Sequence, residues 1–208
     1  MAVASPTGRT NGAARVNGDA APAALADRDD RARRFHAAAL PFLNDAYTLA
    51  RYLLRNADDA DDAVQECYLR GLRYFDSYRG PAMKPWLLAI LRNICMSEFA
   101  RRSKQEPMTD DAGDAALDEQ IAGWQEPQAS PESLFVRAHE AAAMRRLVAA
   151  LPSPFREVIV LREMNELSYK EIAAVESVPV GTVMSRLARA RAMLRSAWEA
   201  AEAAVPAH

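Results

Sequence analysis

The chain has 208 residues, a formal net charge of −2 and only 2 cysteines; half its residues are hydrophobic, and 7% are aromatic. Alanine dominates that apolar half, which favours helices over sheets, because alanine has the lowest helix cost and strands prefer β-branched and aromatic residues. Cys67 and Cys95 form no CxxC and meet no histidine cluster, so a disulfide framework, a bound metal or another cofactor is not expected. Nor is membrane insertion, since no apolar run approaches the ~18–20 residues that span a bilayer and no basic-then-apolar leader opens the chain; a cytoplasmic protein is expected.

Residues 1–30 are rich in Ala, Gly, Pro, Asn and Asp, and read as a disordered tail that cannot offset the entropy of ordering. From residue 33 to 102 the pattern is helical. Leu40, Leu43, Tyr47, Ala50 and Leu54 form one apolar stripe, with Pro41 placed to break it and start a second helix. Asn56 and the acidic run to Asp62 set carboxylates at a helix N-terminus, where they cap amides and oppose the dipole. The helix that follows aligns Val64, Tyr68 and Leu72 beside Ala63, Cys67, Gly71 and Phe75, leaving Gln65, Glu66 and Arg73 on its other face. A loop at residues 77–81 precedes a third helix from about Pro85 to Arg102.

Residues 103–131 read as a flexible acidic linker with three prolines; residues 103–140 hold 2 basic and 9 acidic side chains. Helical periodicity returns over residues 132–198, followed by a C-terminal tail at 199–208. Residues 141–198 reverse the charge, with 9 basic and 5 acidic side chains. A basic end beside an acidic middle suits one part that meets phosphate and another that avoids or imitates it. Ser168-Tyr-Lys-Glu171 is a capping box. The helix it opens, a short break at 177–181 and a basic helix from Thr182 to Trp198 form a helix-turn-helix pattern. The expected fold is all-α, with two small helical domains on either side of the linker.

Two constellations carry chemistry. With Val183, Leu187, Ala190 and Leu194 inward, the last helix presents Met184, Ser185, Ala188 and Arg189 outward, flanked by Arg186, Arg191 and Arg195. Small polar groups can then touch base edges while guanidiniums reach guanine or phosphate. An ordinary helical hairpin with a solvated arginine face is the alternative. The second constellation sets Tyr74, Phe75, Tyr78 and Trp86 among Arg73, Arg79, Lys84 and Arg92. Rings that stack bases and cations that follow a backbone suit single-stranded nucleic acid, although Phe75 and Trp86 at helical spacing also suit a core. His36 and His139 are isolated, and the two cysteines lie on apolar helix faces, as packing residues do.

Together these blocks resemble a known family. Asp59-Ala-Asp-Asp-Ala-Val-Gln-Glu66, Phe75-Asp-Ser-Tyr-Arg-Gly80 and Trp86-Leu-Leu-Ala-Ile-Leu-Arg-Asn93 are similar to region 2 of extracytoplasmic-function sigma factors of the sigma-70 family. The segments 151–163, 167–173 and 179–191 are similar to their region 4, in the same order and across a fitting linker. The resemblance implies a non-enzymatic transcription initiation factor in a stress or envelope response, whose partners are core RNA polymerase, promoter DNA and an anti-sigma factor. It implies that Asp61, Asp62, Gln65 and Glu66 dock on the polymerase clamp. Tyr78, Arg79, Lys84, Trp86, Arg92 and Asn93 would engage the −10 element, where an extruded base needs a pocket. Thr182, Met184, Ser185, Arg186 and Arg189 would engage the −35 element, and the acidic linker would pass the active-site and RNA-exit region. Met184 stands where many members carry arginine, the Pro81–Pro85 loop has an unusual proline before Trp86, and the N-terminal tail has no counterpart in the family pattern. A stand-alone repressor would account for residues 132–198 but leave the acidic helix, the aromatic loop and the linker without a role. No phosphate loop, HExxH or GxSxG supports an enzyme.

Overall fold

A computed structural model describes residues 20–80, 82–103 and 131–203, and among these it is all-α. In chain order the helices are α1 (Ala20–Ala39), α2 (Leu43–Leu54), α3 (Ala57–Tyr74), α4 (Met83–Ser103), α5 (Pro131–Ala150), α6 (Ser153–Ile159), α7 (Tyr169–Glu176) and α8 (Val180–Ala203). The linker lies outside the described residues but for its helical ends, Ser103 closing α4 and Pro131 opening α5.

The tail expected to be disordered is helical from Ala20 onward. Composition alone missed two stabilising features. Asp30 pairs with Arg33 at 3.1 Å and Arg34 at 3.0 Å, along one helix face. Farther on, Phe35 is buried edge-on against Tyr68 and Phe75, at ring separations of 6.0 and 5.5 Å, which anchors α1 to α3. Residues 1–19 lie outside the described residues.

Pro41 does end α1, and a 3-10 turn at Leu40–Phe42 leads into α2. That break resets the helical phase, so the expected stripe is displaced. Leu40 and Leu43 are exposed, while Ala46, Leu49, Ala50 and Leu53 face the core. The Asn56 side chain caps α3 by accepting from the Asp59 amide at 3.1 Å, with Asp58 and Asp59 in the first turn. On α3, Ala60, Ala63, Val64, Cys67 and Gly71 are buried, as the periodicity predicts. The centre of this group is α4, whose Leu87, Leu88, Leu91, Ile94 and Cys95 contact a core shared with α2 and α3. Burial pushes both thiols up to about 12, so Cys67 and Cys95 stay protonated packing groups.

In the second group α6 widens into a π-helical turn at Val160–Met164, closed where the Asn165 amide donates to the Val160 carbonyl at 3.0 Å. The Ser168 hydroxyl and the Glu171 carboxylate then complete the capping box at the start of α7. The hydrogen bonds from Ser168 hold the Glu171 carboxyl below its usual range.

The two groups are not separate packs. The helix α4 lies against α7, and α2 lies against α6 and the π-helical turn, within one continuous core. Asn165 donates through Nδ2 to the Asp45 carbonyl at 3.0 Å, and Arg92 of α4 pairs with Glu157 of α6. The two helical domains are as expected, but their contact was not foreseen, because periodicity cannot show that one helix is buried on two sides.

Gly71 of α3 lies directly against the Phe35 ring of α1. A methyl group there would meet the Phe35 ring at 2.9 Å, and that ring is too buried to move aside. Gly71→Ala gains up to about 1 kcal/mol of helix propensity but overpacks a filled site at about 1–3 kcal/mol, so net destabilisation is expected in urea unfolding. Adding Phe35→Leu should recover part of it. Equal unfolding midpoints for wild type and Gly71→Ala would show that the contact does not constrain the core.

Candidate nucleic-acid interface

The helix-turn-helix is built by α7, a turn and α8. Ser177 ends α7 in the left-handed conformation (φ 56°) and donates its amide to the Ala173 carbonyl, which turns the chain sharply. Pro179 starts the next helix, its carbonyl accepting from the Thr182 amide at 2.9 Å. Along α8, Val183, Leu187 and Ala190 are buried and Leu194 is partly buried. Met184, Ser185, Ala188 and Arg189 are exposed on the other side, as the sequence predicts, with Thr182 half-buried at their N-terminal edge. The Ser185 hydroxyl donates to the Thr182 carbonyl at 2.9 Å, so its lone pairs remain free for an incoming donor. Arg189 and Arg195 make no hydrogen bond or ion pair with any described residue, whereas Arg191 is bound to Glu163 at 2.7 Å. Arg186 departs from this pattern: it turns inward and donates to Glu176 at 2.6 Å.

The aromatic cluster divides. Phe75 packs on Phe35 and belongs to the core side, while Tyr74 is exposed. Tyr78 and Trp86 lie against each other with centroids 5.0 Å apart, both half-buried at the start of α4. Arg79 is exposed and braces the loop, donating to the carbonyls of Asp76 at 2.5 Å and Tyr78 at 3.0 Å. Asn93 is exposed one turn beyond Ala89. The other two cations are engaged within the chain, Lys84 with Asp45 at 2.8 Å and Arg92 with Glu157. Of the six residues expected at the −10 element, Tyr78 and Trp86 are in contact, Arg79 and Asn93 are exposed, and Lys84 and Arg92 are held by internal partners.

On the far face of α3, Asp61, Asp62 and Gln65 are exposed and Glu66 is half-exposed, bonded to Arg70 at 2.6 Å. Asp59, Asp62, Glu66, Arg70, Ser97 and Glu98 line a groove between α3 and α4, together with Ala63 and Ile94. Four carboxylates against one guanidinium leave the groove acidic.

The residues that sequence reasoning missed lie where the two groups join. Glu176 is the last residue of α7, with its side chain fully buried. Its Oε2 accepts from Arg186, while its Oε1 accepts no hydrogen bond from the described residues. Burial, and then the nearby Glu157 carboxylate, push Glu176 up to about 7, against the pull of Arg186 and Arg92. A signal existed in the sequence: Glu176 occupies an inward position of α7, four residues after Ile172 and three after Ala173, where an apolar residue is expected.

The sign of the resulting pH dependence follows from the raised value. Between its ordinary value near 4.5 and about 7, the folded chain holds a proton at Glu176 that the unfolded chain releases. Its contribution to stability is therefore full below about 4.5 and is lost as pH rises through 7. Urea unfolding of wild type and Glu176→Gln should diverge with pH, the wild type losing up to about 3 kcal/mol relative to the variant from pH 4.5 to 8. Parallel stability profiles would contradict the buried carboxylate.

Comparison with known proteins places both helical groups in one family. The family described as Sigma-70 region 2 matches residues 40–105, and that described as Sigma-70, region 4 matches residues 141–194. The chain is 34% identical over 147 residues to the ECF RNA polymerase sigma-E factor of Escherichia coli, covering 70% of this chain and 76% of that protein. It is 31% identical to the RNA polymerase sigma-H factor of Pseudomonas aeruginosa, covering 80% and 87%. Among solved structures it resembles the sigma factor RpoE of Bartonella quintana, crystallised with the anti-sigma factor NepR, with a TM-score of 0.61 and 25% identity over 80% of this chain and 98% of that one.

Proposed function

Since the chain belongs to the extracytoplasmic-function branch of the sigma-70 family, and so directs promoter-specific initiation by RNA polymerase, we propose how its surfaces divide that work. The exposed face of α3 that carries Asp61, Asp62, Gln65 and Glu66 docks on a basic element of core polymerase. Tyr78, Arg79, Trp86 and Asn93 receive the opened −10 strand, joined by Lys84 and Arg92 once their internal partners release them. The outward face of α8, with Thr182, Met184, Ser185 and Arg189, reads the −35 duplex. The observation that carries this reading is Arg189: a guanidinium without a partner among the described residues, opposite a fully buried stripe on the same helix.

As domains, residues 33–102 and 132–198 are the two functional units, and the linker between them carries an acidic charge able to imitate RNA. An anti-sigma factor controls the chain, as NepR binds the Bartonella protein, in a stress or envelope response. The protein works in the cytoplasm, where polymerase is, as a specificity subunit without catalysis of its own. Transcription in vitro with core polymerase and genomic fragments tests the whole reading. Discrete new start sites are expected, and none beyond those of core enzyme alone would overturn it.

Two variant pairs separate the surfaces. Asp62→Lys and Glu66→Lys should each weaken capture of core polymerase at unchanged circular dichroism; undiminished capture would remove α3 from the interface. Arg189 can reach a base edge, so Arg189→Ala should cost about 1–3 kcal/mol and relax selectivity at one or two −35 positions. Arg195 lies farther along α8, where the helix leaves the groove. Arg195→Ala should weaken all promoters alike and lower the salt dependence by about one unit. Uniform loss in both variants, measured on a library of randomised −35 sequences, would show that α8 is placed wrongly in the groove.

A further inference from the structure

Four charged side chains from four helices meet beneath the DNA-facing surface. Glu157 of α6 and Glu176 of α7 are both buried, and the Glu157 carboxylate opposes ionisation of Glu176. Arg92 of α4 is bound to Glu157, and Arg186 of α8 to Glu176. These three residues, Glu157, Arg92 and Arg186, are the charged groups that face Glu176 from the elements packed around it.

Such a carboxylate does not earn its place by stability, because burial opposes its charge more than Arg186 supports it. Its position acts on Arg186 instead. Arg186 lies one residue from Ser185 and three from Arg189, on the helix whose neighbouring cations are exposed, yet its side chain is only 29% exposed and points to Glu176. Without that partner a guanidinium on a flexible stem extends to solvent, here toward a DNA backbone.

We propose that Glu176 is a positioning residue of the helix-turn-helix: when ionised it holds Arg186 inside the joint between α7 and α8, and when neutral it releases Arg186 to a backbone phosphate of the −35 duplex. The inference rests on α8 being the helix that faces DNA. Each state has a distinct signature, because each phosphate neutralised by a cation steepens the dependence of log affinity on log salt by about 0.9. Release near neutral pH is accessible because Glu176 titrates at about 7.

The test is binding of a −35-dependent promoter by holoenzyme reconstituted with the full chain, over a salt series at pH 8.0 and at pH 6.0. Titration of polymerase itself is common to every chain compared and cancels between them. Wild type should show the shallower slope at pH 8.0 and gain about one unit at pH 6.0. Glu176→Gln should show the steeper slope at both pH values. Glu176→Leu, which keeps the site filled without a carboxylate, should match it and covers the case in which the glutamine variant folds poorly. Arg186→Gln should leave the slope at pH 8.0 as in wild type, and Glu176→Gln with Arg186→Gln should return to the shallow slope at both pH values. A rearranged helix-turn-helix without release of Arg186 would not produce that reversal. One slope shared by all chains overturns the inference while leaving the initiation reading intact, as does a loss of slope in Arg186→Gln at pH 8.0. A wild-type holoenzyme that binds the promoter no better than core polymerase overturns both, since Arg186 then has no DNA to be withheld from.

Discussion

Two carboxylates cannot be buried side by side unless cations from elsewhere in the fold come to them, and that requirement governs how the helical groups are joined. Glu157 and Glu176 belong to the second group, but one of the guanidiniums that balance them, Arg92, comes from α4 of the first. Taking two charges out of water costs several kcal/mol per ion unless geometry and hydrogen bonds compensate. The Asn165–Asp45 hydrogen bond and the Lys84–Asp45 ion pair flank the same seam. Polar groups thus set the register of this contact, and apolar packing of α4 on α7 supplies area without specifying it.

This arrangement has a geometric consequence for promoter binding. Elements centred near −10 and −35 are about 25 base pairs apart, roughly 85 Å along B-form DNA. A seam closed by direct side-chain contacts cannot place α4 and α8 on both at once. In the packed form Arg92 is bound to Glu157 and Lys84 to Asp45.

Much of this was legible in residue order, for identifiable reasons. Helix ends marked by short-range chemistry, such as the Asn56 cap and the Ser168–Glu171 box, form where the sequence places them because their partners lie within one turn. The outward face of α8 was legible because a long helix with one apolar stripe leaves little choice of orientation. Features that depend on distant partners were not. The second half of α1 is held by Phe35 packing on Tyr68 and Phe75, 33 and 40 residues away, and Arg92 meets Glu157 across 65 residues. Leu40 and Leu43 misled because a proline inside an apolar repeat shifts the helical phase, and periodicity read across the break mixes two faces.

Ala39, Ala46, Ala50, Ala60, Ala63 and Gly71 are all buried in the first group. Side chains this small let helix backbones approach until the main chains nearly define the interior. Such an interior has little volume left to lose and almost none to gain. Its map of tolerated substitutions should accordingly be lopsided, permissive where a leucine shrinks at the margin and closed wherever an alanine acquires even two carbons. Drift in this lineage would then run mainly through the exposed faces, leaving the spacing of the helices as its slowest-changing property.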